Sequence, residues 1–164
     1  MKHLILSIFL ALGILTVNAQ DKSNIDKITT SYIGVKDALV GSNPTLAKSR
    51  AAELLAALTA QPVKGLQAKQ AKTLNTYLAK LKYDSRHIGE TTLLDHQREH
   101  FESLSKNMYA MLSALNMNST TIYQQYCPMK KAYWLSESTE VRNPYYGDDM
   151  LECGTVKATL KAAK

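Results

Sequence analysis

The chain carries two cysteines, and each has a methionine close by: Cys127 with Met129, and Cys153 with Met150. A thiolate and a thioether two or three residues apart form half of a soft-ligand site, and two such halves face to face suit Cu(I) or Ag(I). Sulfur is thus concentrated in a stretch that also holds the single tryptophan, Trp134, and four of the nine tyrosines. Two histidines stand apart from this group. His96 and His100 are four residues apart, so on a helix they project from one side, where they can seat a metal or reach toward the sulfur segment. The candidate ligands are therefore Cys127, Met129, Met150, Cys153, His100 and His96. His87 reads as a helix-end residue, and Met108, Met111 and Met117 as core.

The same cysteines also read as a structural staple. In an exported protein an even count points first to a disulfide. A Cys127–Cys153 bond would close a loop worth roughly 3–4 kcal/mol of unfolded-state entropy. The methionines are then packing residues, since methionine is a common gap-filler. Both readings stay open on the sequence. Catalysis is the poorest fit: no nucleophile stands beside an orienting pair, there is no Cys-x-x-Cys, and the glutamate between the histidines does not follow the first one as a zinc-protease motif requires. The chain reads as a non-enzyme.

The remaining elements must hold these side chains in place. Met1-Lys2-His3, an apolar run from Leu4 to Leu15 and Val17-Asn18-Ala19 have the form of a signal peptide over residues 1–19. The apolar run falls well short of the ~20 residues that span a bilayer. The expectation is a periplasmic or secreted protein with no membrane insertion after cleavage. The formal charge of +6 is spread thinly along the chain, without the basic stripe that nucleic acid requires. No nucleic acid partner is expected.

Residues 20–164 read as one domain. From 24 to 116 the apolar periodicity is helical. Ile25, Ile28, Tyr32, Val35 and Leu39 line one face, and Gly41 supplies a stop. Asn43 and Pro44 start a second helix to about Ala60, followed by a break over Pro62–Gly65. A third helix runs from Leu66 to about Arg86 and carries Leu74, Tyr77, Leu78 and Leu81. Gly89 weakens its end, and Thr91 or Thr92 caps a fourth with Leu94, Phe101, Leu104, Met108 and Leu115. Short connections imply antiparallel neighbours. The fold class is mainly α: an antiparallel bundle of about four helices, with a sulfur- and aromatic-rich segment over 120–156 packed on it. Residues 120–126 and 132–135 read as short strands, residues 156–163 as a short terminal helix. Arg98 and Gln97 are placed to pin the C-terminal loop through its carbonyls.

The strings Tyr126-Cys-Pro-Met129, Tyr133-Trp-Leu-Ser136, Asn143-Pro-Tyr-Tyr-Gly147 and Met150-Leu-x-Cys-Gly154, with His96 to Ser105, resemble an exported bacterial family known as domain of unknown function 3347. Its members occur alone behind a signal peptide and fused to periplasmic adaptors of Cus-type heavy-metal efflux pumps. The resemblance implies a metal-binding protein that buffers Cu(I) or Ag(I), or passes it to an efflux adaptor or other metal-transfer protein. The alternative is a non-catalytic interaction domain stapled by Cys127–Cys153.

Overall fold

The computed structural model describes residues 15–60 and 66–163, with side chains from Asn24 onward. Most of the signal segment and the Pro62–Gly65 break lie outside the described residues. Four helices follow in order: α1 (Leu15–Val40), α2 (Pro44–Thr59), α3 (Ala68–Glu90) and α4 (Leu94–Leu115). The helical stripe expected in α1 is the buried one, with Ile28, Tyr32, Val35 and Leu39 fully inaccessible. The turn after it departs in detail from the sequence reading. Gly41 keeps negative φ, and the left-handed residue is Ser42 (φ 47°). Asn43 then caps α2 by accepting from the Leu46 N–H at 2.9 Å, with Pro44 in the first turn, where its missing N–H costs nothing. The buried face of α2 is small in its first half, Ala47 and Ala51, and large in its second, Leu54 and Leu58, and it packs against both α1 and α3.

Gly89 does not end α3 early; the helix runs on to Glu90. Neither threonine caps α4. Leu93 takes the capping position, and its N–H donates to Thr91 Oγ1 at 3.0 Å. This tight link makes α3 and α4 an antiparallel hairpin. It is locked by Gln97, fully buried, whose Nε2 donates to the carbonyls of Pro44 (2.9 Å) and Thr91 (2.8 Å). Gln97 thus ties the helix ends together rather than the C-terminal loop.

After α4 the chain forms a three-stranded antiparallel sheet, β1 (Ile122–Cys127), β2 (Ala132–Ser136) and β3 (Thr155–Leu160), in the order β2-β1-β3. The terminal helix expected over 156–163 is instead the strand β3, paired with β1 from Ile122↔Leu160 to Tyr126↔Thr155. Alanine and lysine are good helix formers, but tertiary context overrides local propensity, and the open edge of β1 offers a ladder of hydrogen bonds. Asn118 fixes the end of β3 by donating to the carbonyl of Lys161 at 3.1 Å.

Strand β2 lies against α4 and α1. Trp134 and Leu135 are buried there, and Tyr32 of α1 stacks on Phe101 of α4 at 5.3 Å. The outer edge of β2 is closed by two tyrosines. The Leu135 N–H donates to the Tyr32 hydroxyl at 3.0 Å, and the Tyr145 hydroxyl donates to the Tyr133 carbonyl. Tyr32 also meets Ser105 of α4 at 2.7 Å. One buried cluster runs from Ile25 through all four helices to Leu135 and Tyr145, so sheet and bundle share a core.

Candidate metal centre

The α3–α4 hairpin brings together three imidazoles. His87 lies one turn from the end of α3, and His96 and His100 lie in the first two turns of α4. The His87 and His100 rings stack at 4.6 Å, and the His96 and His100 rings meet edge to face at 4.7 Å. One ring nitrogen from each lies within 4.8 Å of the others. Among the described residues this is the group of His, Cys, Asp and Glu side chains that can share an ion. Nitrogens bound to one tetrahedral zinc at 2.0–2.1 Å stand roughly 3.3 Å apart, so closing the set takes modest ring rotations. All three residues of the triad are partly open to solvent.

A buried carboxylate supports the cluster. Asp84 of α3, its side chain 4% exposed, stands 3.2 Å from His100 Nδ1. A carboxylate there accepts from an Nδ1–H, which would leave Nε2 of His100 as the lone-pair nitrogen, the carboxylate–histidine arrangement typical of metal ligands. Glu99 is a weaker companion of His96, 4.0 Å away and 80% exposed. Tyr83 covers one side of the cluster, its ring 4.4 Å from that of His87.

The sulfur groups assemble elsewhere. Cys127, the last residue of β1, is fully buried; Cys153 is half-buried, and the two Sγ atoms are 3.2 Å apart as free thiols. Met129 and Met150 do not close around them as packed ligands: Met129 is 64% exposed in the β1–β2 turn and Met150 is 38% exposed. Burial by itself would raise the Cys127 thiol. The Lys130 N–H and the Cys153 thiol directed at Cys127 Sγ overcome this and hold it below the ordinary thiol range. The Cys153 thiol is raised, first by its bond to Cys127 and then by burial.

The two groups occupy different flanks of α4. His100 turns to Asp84 and His87 of α3, while Phe101 and Ser105 turn to Tyr32, Tyr145 and the sheet. The expectation that His100 reaches the sulfur segment is therefore corrected. Its position at the margin of the apolar stripe allowed either side, and the tight α3–α4 link chose α3. Arg98 does what was expected of it, donating from Nε to the Pro144 carbonyl at 2.9 Å and from Nη2 to Ser42 Oγ at 3.0 Å. His87 is the ligand candidate the sequence reading passed over. One signal was present: three of the four histidines of the chain fall between 87 and 100, across a link short enough to be a helical hairpin.

Four packed helices with a small C-terminal antiparallel sheet, and a cluster of three histidines on the α3–α4 hairpin, define a mainly α domain. The chain belongs to the family described as "Protein of unknown function (DUF3347)", whose model matches residues 28–120. The match takes in the second half of α1, all of α2 to α4 and the three histidines, and stops before Cys127. No curated protein and no solved structure matches the chain. Among the described residues no helix is long and apolar enough to cross a membrane.

Proposed function

We propose that this is a metal-binding protein whose ion sits on His87, His96 and His100, with Asp84 orienting His100. The observation that carries the reading is the set of three imidazole nitrogens within 4.8 Å on two helices locked into a hairpin. Imidazole suits zinc, copper and nickel. Copper thus stays in the set that the sulfur residues suggested, whereas softer silver loses its support. Three protein ligands leave a coordination position open, a property that suits uptake and release better than permanent structural binding. The role is storage or transfer, without catalysis: an exported protein that buffers copper or a similar ion, or hands it to a heavy-metal efflux system.

The test is equilibrium dialysis of metal-stripped protein against Zn(II), and against Co(II) with its visible spectrum as a report on coordination. One ion per chain is expected, with loss of at least tenfold in affinity in His87→Ala and in His100→Ala. Binding of wild-type strength in the triple His→Ala variant would overturn the proposal.

A further inference from the structure

Cys127 and Cys153 lie 26 residues apart in sequence, yet their sulfurs are in contact at 3.2 Å. They differ sharply in access: Cys127 Sγ belongs to a fully buried residue, Cys153 to a half-buried one. Each belongs to a different structural unit. Cys127 ends the central strand of the sheet. Cys153 lies at the end of the loop from 137 to 154, which is held noncovalently: Tyr145 enters the core, Gln125 donates to the Ser138 and Glu140 carbonyls, Arg98 to the Pro144 carbonyl, and near Cys153 itself Asn143 N–H donates to the Leu151 carbonyl at 2.7 Å and Asn143 Nδ2 to the Cys153 carbonyl at 2.9 Å. A bond between the sulfurs would convert a noncovalent clasp into a covalent one without moving either strand or loop far.

We infer that Cys127 and Cys153 are a reversible dithiol–disulfide couple, loaded and unloaded through Cys153 by low-molecular-weight thiols and disulfides, with Cys127 as the internal partner. In the oxidising direction Cys153, the sulfur within reach, passes its proton to the neighbouring Cys127 sulfur or to solvent and attacks one sulfur of a small disulfide RSSR. The S–S bond breaks, RS⁻ leaves, and a mixed disulfide stands on Cys153. Cys127, already in contact, attacks Cys153 Sγ and expels the second RS⁻. The two cysteine protons go to the two leaving thiolates. The balance is protein dithiol plus RSSR to protein disulfide plus two RSH; the protein loses two electrons and RSSR gains them.

The order follows from access, because an incoming disulfide must approach the attacking sulfur in line and Cys127 has no exposed surface. In the reducing direction a small thiolate attacks Cys153, and Cys127 leaves. The Lys130 N–H that stabilises the Cys127 thiolate makes it a good leaving group. The bond is therefore easily broken as well as easily made, unlike a permanent staple.

A reporter is built in. Gly154 lies beneath the only tryptophan, where an added Cβ would come within 2.7 Å of Trp134 Cη2; a disulfide next to this indole should quench it.

The experiment uses metal-free, reduced full-length protein and glutathione disulfide as the probe. Wild type should lose the mass of two hydrogens with a fall in Trp134 fluorescence, and glutathione should reverse both. Cys127→Ser should stop at a one-glutathione adduct on Cys153, and Cys153→Ser should react at least tenfold more slowly. A second measurement guards against misfolded variants: brief iodoacetamide treatment of wild type should alkylate Cys153 before Cys127. Wild type that stays a dithiol, Cys127 modified first, or equal rates in the two variants would each overturn the inference.

Discussion

Replacing Asp84 tests whether the histidine cluster is a metal site or a helix–helix contact. In the proposed site Asp84 is a positioning residue that acts through His100, 3.2 Å from Nδ1. Its side chain is 4% exposed and that of His100 is 16% exposed, so solvent screens the pair little. Removing a carboxylate behind a ligating histidine typically costs 10–100-fold in affinity, or about 1.4–2.8 kcal/mol at 1.4 kcal/mol per decade.

The two ends of that range separate by substitution. In Asp84→Asn the side-chain oxygen still accepts from Nδ1–H, so orientation is kept and only the charge is lost; about tenfold is expected. Asp84→Ala loses both and should approach a hundredfold. Glu99→Gln is the control: that carboxylate is 80% exposed and 4.0 Å from His96, and its loss should change affinity by less than about twofold on the scale of exposed ion pairs. Competition with a chromophoric chelator at fixed pH measures all four proteins. If Asp84→Ala binds metal as wild type does while losing thermal stability, Asp84 only braces α3 against α4 and the reasoning fails.

Two further outcomes concern the join between sheet and bundle. Tyr32→Phe strands the buried Leu135 N–H and removes the partner of Ser105. The loss should be about 1–3 kcal/mol in urea unfolding, and an unchanged midpoint would refute it. Burial pushes the phenols of Tyr32 and Tyr145 well above their usual value. The folded state therefore keeps these protons where the unfolded chain, near pH 10, gives them up. Their contribution is complete below about pH 10 and is lost as pH rises toward the folded value. Phenolate absorbance should show two of the nine tyrosines ionising only with unfolding; all nine titrating together in folded protein would contradict this.

Much of the architecture was legible because its signals are local. The stripe Ile25, Ile28, Tyr32, Val35, Leu39 repeats at the helical period, and Asn43-Pro44 marks a helix start through its own side chain and ring. Strand β3 was illegible for the opposite reason. Nothing within 155–160 outweighs helix propensity except Thr155, Val156 and Thr159, and what decided the matter was the open edge of β1, some thirty residues earlier. The same distinction runs through the candidate sites. The i,i+4 spacing of His96 and His100 follows from helix geometry, so the sequence alone put them on one face. Which neighbour that face met depended on the three-residue link and on Gln97 gripping Pro44 and Thr91; that packing added His87 and buried Asp84 behind His100. Residue type and spacing determine which side chains share a helix face. Only the packing of one helix on the next decides which faces meet, because side-chain contacts between elements are set by their relative placement in space.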